Sequence, residues 1–357
     1  MQIMFNDETR RSLERCAPQG LSGLAKLIAA PLALCFISAC TTTPSTVSVP
    51  SENYTFVQSE NINSRVSSLI LHHTSANFAD SLDILTNPER ARVSSHYLVP
   101  DPSDESYTER ELKIYQLVAE KDRAWHAGRS YWNGKSALND HSIGIEVVNQ
   151  TYCVNREAQP EAQPEAPLNA AAKANENKRL CFYPDYPETQ IALLAELIDD
   201  ILKRHPRIQV TDIVGHSDIA PQRKIDPGPR FPWHRLYKLG YGAWFDDEDV
   251  TKYWQEFSVR PVPLINVQKA LGVYGYKIEP TGVLDEQTRN VIMAFQLHFR
   301  PNELTGEPSA ETTAILFALI EKYRGKHLET LLPAQNRLSL APQGEMALTP
   351  NKVGAAP

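Results

Sequence analysis

The stretch PETQIALLAELIDDILKRHP, residues 187–206, constrains the fold of this chain more than any other. Ile191, Leu194, Ala195, Ile198, Ile201 and Leu202 recur at helical spacing, while Glu196, Asp199, Asp200, Lys203 and Arg204 take the opposite face. Pro187 suits a first helical turn and Pro206 helps to stop the helix. A helix with so marked an apolar stripe needs a surface to lie on. Short β-rich runs surround it: SSLILHHTS, apolar from Leu69 to Leu71, then SHYLV (95–99), IYQLV (114–118) and SIGIEVVN (142–149). TDIVGHSD follows the helix as one more. Strands interleaved with a strong helix predict an α/β domain over residues 63–245, with helices packed on a sheet.

Residues 260–325 read differently. LINVQKALGVYG, LDEQTRNVIMAFQLHFR and SAETTAILFALIEKY are three amphipathic segments separated by Gly- or Pro-containing turns, and they predict a small three-helix domain. Residues 326–357 lack a period and are expected to form a mobile tail. A charged fraction of 22% and a net charge of -7 give no support for a nucleic-acid-binding protein.

The other end of the chain looks like a leader. Lys26 precedes an apolar run, Leu27 to Ala39, that is too short to span a bilayer and suits a signal-peptide core. Its ending, Ile37-Ser38-Ala39-Cys40, resembles a bacterial lipobox, which implies cleavage before Cys40 and lipidation of that cysteine. The segment before the run is long and acidic (Asp7, Glu8, Glu14), which points to a start codon further downstream. Residues 1–40 are thus expected to be a lipoprotein signal peptide, and 41–62 a Thr/Ser/Pro-rich tether. Thr41 after the cysteine implies the outer membrane, with the protein held at its periplasmic face. Once Cys16 and Cys35 leave with the leader, Cys153 and Cys181 remain as a pair around an EAQP-repeat insertion, 153–181. In an oxidising compartment a bridge between them would close a solvated loop, a constraint of about 3 kcal/mol.

The polar residues gather around one segment, GHSDIAPQRKIDPGP (215–229). His216 and Asp226 flank a proline-stiffened loop, and Lys224 lies between them. A third ligand is available at the end of the strand SSLILHH, where only one of His72 and His73 can face a given side. Two histidines, one aspartate and an open position suit a zinc ion that activates water. Glu146, placed between Ile145 and Val147, is costly to bury without a function and is the candidate general base. Lys224 is the candidate cation for a developing oxyanion.

LILHHTSA, SSHYLV, AWHAG, NDHSIGIEVVN and GHSDIAPQRKIDPGPRFPW together resemble the zinc-dependent N-acetylmuramoyl-L-alanine amidases of type 2. TGVLDEQTRNVIMAFQ resembles a type 1 peptidoglycan-binding domain. The first resemblance covers roughly residues 65–240 in matching order and implies a mixed central sheet flanked by helices. It also implies one zinc per chain on His72, His216 and Asp226, with Glu146 as base and Lys224 at the oxyanion. It favours His72 over His73, and it suggests substrate contacts from His96, Trp125 and His126. The implied reaction is hydrolysis of the amide between N-acetylmuramic acid and L-alanine in peptidoglycan or its fragments, by a monomer attached to the membrane through lipid alone. Two rivals remain open here: a non-catalytic peptidoglycan-recognition protein, and a zinc peptidase acting within the stem peptide. The EAQP insertion departs from the family directly after the Glu146 strand, which leaves substrate preference open.

Overall fold

A computed structural model describes residues 57, 59–155 and 179–340. Cys40 with its leader, the tether up to residue 56 and at residue 58, and residues 156–178 of the insertion therefore lie outside the described residues.

The strands are β1 (Ser68–His73), β2 (Tyr97–Val99), β3 (Tyr115–Gln116), β4 (Tyr131–Trp132), β5 (Lys135–Ser136), β6 (Ser142–Val147), β7 (Tyr152–Asn155), β8 (Arg179–Phe182) and β9 (Ile213–Gly215). The α-helices of the sheet region are α1 (Phe78–Thr86), α2 (Glu188–Arg204), α3 (His216–Ile219) and α4 (Trp233–Lys238). After them come α5 (Asp247–Val259), α6 (Leu264–Tyr274), α7 (Glu286–Phe299), α8 (Ala310–Arg324), α9 (Leu328–Leu331) and α10 (Ala334–Leu340).

Five strands form one mixed sheet in the order β3-β2-β6-β1-β9. β2, β6, β1 and β9 run parallel and β3 is antiparallel at the edge. The central strands are apolar on both sides because both faces are covered. Leu69, Leu71, Ile143, Ile145 and Val147 pack with Ile191, Leu194 and Ile198 of α2, the expected stripe. Ile70 and Val214 point the other way, into a second core. Each such fully buried side chain contributes about 1.5–3 kcal/mol relative to exposure.

That second core is shared with the C-terminal helices. Ile70, Trp132, Val214 and Ile219 join Tyr253 and Phe257 of α5, Tyr274 of α6, Phe295 of α7 and Phe317 of α8 in one cluster. The described residues from Asn61 onward fall in a single unit. Asp285 and Ser309 cap α7 and α8 by accepting from Thr288 N and Thr312 N at 2.8 and 3.2 Å.

Two features differ from expectation. Of the segment expected to be a mobile tail, residues 326–340 are described and are largely helical: Leu331 and Leu332 are buried, and Asn336 donates to Glu256 Oε1 at 2.7 Å; residues 341–357 lie outside the described residues. Its two buried leucines are too few for a recognisable period, yet they dock on a surface already formed. The proline-rich loop begins with a helical turn, α3, because its prolines start only at Pro221.

Candidate active site

Strand register assembles the site. His72 on β1 is the direct neighbour of Glu146 on β6, and Leu71 is the neighbour of Gly215, so His216 follows at the end of β9. The three residues thus sit at the carboxyl ends of adjacent parallel strands, where open α/β sheets place their ligands. Side-chain alternation turns His72 and Glu146 to the face away from α2, while His73 points elsewhere. His73 lies 3.1 Å from Pro227 O through Nδ1. Asp226 returns to the site because its carbonyl accepts from Ser217 N at 2.8 Å, closing the ten-residue excursion.

His72 Nδ1, His216 Nδ1 and Asp226 Oδ2 converge, at 3.0 Å between the two nitrogens and 3.1 and 3.0 Å from each to the carboxylate. All three residues are buried. The outer ring nitrogens decide what these atoms offer. His216 Nε2 lies 3.2 Å from Ala127 O, a pure acceptor, and 3.3 Å from the Arg223 guanidinium, a pure donor; the tautomer that donates to Ala127 O leaves Nδ1 with a lone pair. His72 Nε2 faces His126 Nδ1 at 2.9 Å, and His126 Nε2 meets Ser142 Oγ, which donates to Leu138 O at 2.6 Å. Donation outward along that whole chain leaves His72 Nδ1 with a lone pair as well. In those tautomers three acceptors face one another in a buried pocket, an arrangement that a bound cation stabilises. Tetrahedral zinc, with bonds of about 2.0–2.1 Å, would separate its donors by roughly 3.3 Å, close to the spacing present.

The electrostatics agree. Burial, together with His216, lowers the His72 pKa to about 4, keeping the ring neutral as a metal ligand must be. Burial pushes Asp226 upward, but His216 and His72 beside it outweigh that and hold the carboxyl well below its ordinary range. Glu146 moves in the opposite direction. Burial, and then Asp226, raise it to about 8 against the pull of Lys224. Its Oε1 is 4.0 Å from His72 Nδ1, and its Oε2 is buried without a hydrogen-bond partner. Glu146, His216 and Asp226 open on a cleft of about 420 Å³, lined also by His126, Lys224, Trp125, Thr151 and Cys153.

The three residues expected at the substrate wall part company. Trp125 stands 54% exposed at the rim, with the Arg123 guanidinium 4.2 Å over its ring. His126 is buried behind His72. His96 is wholly buried, accepts from Gly144 N at 3.0 Å and has Nε2 3.3 Å from Asp122 O; it does not line the cleft. Cys153 and Cys181 face each other across the β7–β8 ladder and are joined as a disulfide.

Sequence reasoning missed several supports. Asn139 Oδ1 accepts from His126 N and Ala127 N at 3.1 and 2.7 Å, fixing the AWHA segment. Ser142 terminates the histidine relay. Gly144 leaves space for the relay ring, since a Cβ there would lie 2.5 Å from His126 Cγ. Of these only Gly144 carried a signal: a lone glycine inside a strand marks close approach of another group.

Known proteins match this arrangement. The N-acetylmuramoyl-L-alanine amidase family pattern covers residues 62–229, and a peptidoglycan binding domain pattern covers 262–316. N-acetylmuramoyl-L-alanine amidase AmiD of Escherichia coli is 41% identical over 260 residues, 72% of this chain and 84% of that protein. The chain belongs to the N-acetylmuramoyl-L-alanine amidase family. The crystal structure of AmpDh3 from Pseudomonas aeruginosa superposes with a TM-score of 0.64 at 38% identity, covering 78% of this chain and 99% of that one. AmiD of E. coli, solved with anhydro-N-acetylmuramic acid-L-Ala-D-gamma-Glu-L-Lys, gives 0.61 at 38% identity over 77% and 97% of the two chains. The mixed sheet and C-terminal helices expected from sequence are thus the fold of this family.

Proposed function

We propose that this enzyme is a zinc amidase that hydrolyses the bond between the lactyl group of N-acetylmuramic acid and L-alanine in peptidoglycan and its fragments. The observation that carries the metal is the convergence of three buried lone-pair donors beside a carboxyl group with an unpartnered oxygen. Zinc, bound by His72, His216 and Asp226, supplies Lewis acidity toward the scissile carbonyl and lowers the pKa of water.

The chain's own residues do the rest. Glu146 removes the proton from the attacking water and later delivers it to the leaving amine of L-alanine. Its raised pKa suits both roles, because a carboxyl near the working pH gives up the proton as readily as it takes it. Lys224, on the same cleft, sets positive charge beside the developing oxyanion. His126 holds the His72 ring in the tautomer that presents Nδ1. Trp125 offers an exposed aromatic face at the cleft rim. Residues 262–316 supply affinity for the wall polymer.

We also read Cys40 as the lipid-bearing residue, the chain as a monomer, and its place as the periplasmic face of the outer membrane. No described helix is long and apolar enough to cross a bilayer.

Mass spectrometry after digestion of intact sacculi and of soluble muropeptides, with and without the anhydro sugar, tests the activity. An intact stem peptide with a free L-alanine amine is expected. Cleavage inside the stem identifies a peptidase, and binding without products identifies a recognition protein.

A further inference from the structure

We propose that Tyr276 and His298, both from the C-terminal helical region, are positioning residues for the metal ligand His216. The role rests on the zinc reading above and goes beyond it, because it makes the C-terminal helices part of the catalytic unit as well as a wall-binding region.

α3, which begins with His216, is a single helical turn, and one turn has too little internal hydrogen bonding to hold its own shape. All four of its residues are buried. The third, Asp218, is 1% exposed and is held from two sides. From its own turn, Gly215 N donates to Oδ2 at 2.8 Å. The other two partners lie far along the chain: Tyr276 OH donates to Oδ1, and His298 Nδ1 meets Oδ2 at 2.8 Å. Tyr276 follows α6 and His298 is in the last turn of α7, and both are buried. No lysine or arginine pairs with Asp218 in this cluster, so these three donors alone replace the water it has lost. Removing one leaves a buried carboxyl oxygen short of a donor, a penalty of about 1–3 kcal/mol that a single turn relieves by shifting.

The apolar surroundings leave little freedom for any other arrangement. The His298 ring stacks on Trp233, with centroids 3.8 Å apart and planes 15° apart. Trp233 in turn abuts Gly215, where an added Cβ would lie 3.3 Å from its ring and 2.7 Å from Pro227 Cδ. Tyr276 packs edge-on against Trp132 at 4.9 Å. The turn is therefore gripped from behind by the helical region while His216 faces the other ligands. A shift of the turn moves His216 Nδ1 directly, because the ligand is the first residue of the same turn.

The test uses the full chain. Tyr276→Phe removes one hydroxyl and keeps the ring against Trp132; His298→Ala removes the donor and the stack; His298→Asn restores a donor at the Nδ1 position. Zinc affinity is read by competition with a chelator. kcat and KM are read on a small soluble muropeptide that needs no wall binding. Expected are losses of about tenfold or more in zinc affinity and in kcat for Tyr276→Phe and His298→Ala, with KM near that of the wild type and partial recovery in His298→Asn. Folded variants with lowered melting temperature but wild-type zinc affinity and kcat would overturn the proposal. If His298→Ala does not fold, Tyr276→Phe alone decides. A wild-type chain that bound no zinc would sink the metal reading and this role with it, whereas zinc bound equally by wild type and Tyr276→Phe sinks the role alone.

Discussion

Glu146→Gln should make the metal-free protein more stable while it destroys the enzyme. The carboxyl has an ordinary pKa of 4.5, which the folded chain raises to about 8, with burial as the main cause. Between these values the folded chain keeps a proton that the unfolded chain has released. Stability therefore falls as pH rises through that window, and the penalty is complete above pH 8. A shift of about 3.5 units corresponds to an upper limit of about 5 kcal/mol; relaxation and water entry reduce this, and we expect about 2 kcal/mol. Glutamine keeps the shape and cannot ionise. Thermal unfolding in a chelator at pH 9 should then show Glu146→Gln melting about 3 °C above the wild type, with the gap closing below about pH 3.5, where the wild-type side chain is protonated in both states. Added zinc should narrow the gap at pH 9, since a nearby cation offsets the buried charge. Turnover with zinc bound should drop about a hundredfold or more. A glutamine variant no more stable than the wild type at pH 9 without metal would refute the claim that burial strains this carboxylate.

Other consequences are equally direct. His72→Ala, His216→Ala and Asp226→Ala should each abolish turnover and release zinc, measured by metal analysis after dialysis, whereas His73→Ala should keep the metal; full occupancy in Asp226→Ala would remove that residue from the ligand set. Gly144→Ala drives a methyl group into the His126 ring and should weaken zinc binding about 10–100-fold without unfolding the sheet; circular dichroism with chelator competition checks both, and unchanged affinity would show that the ring behind His72 is dispensable. Cys153→Ser opens a crosslink spanning 28 residues and should cost about 3–4 kcal/mol in denaturant unfolding, while deletion of 156–178 with both cysteines kept should cost little. Two titratable thiols in the unreduced, denatured chain would contradict the bridge.

Much of this protein was legible in contiguous residues. The stripe from Ile191 to Leu202 announced α2, and the apolar runs at 69–71 and 142–149 announced β1 and β6, because helical and strand periods are written within a few residues of one another. The motif around His216 and Asp226 likewise pointed to two side chains that the fold brings together, through local spacing and stiff prolines.

The tertiary structure alone decided what depends on residues distant in sequence. The His72↔Glu146 register sets which histidine of the pair faces Glu146, and a slip of one residue would have chosen His73. No spacing links His126 to His72, or Tyr276 and His298 to Asp218, over 54, 58 and 80 residues. Such buried polar contacts follow from how complete layers stack, and they leave no period behind. The same reason hid the docking of residues 328–340: Leu331, Leu332 and Asn336 acquire partners only after α5, α6 and α8 have built the surface that receives them.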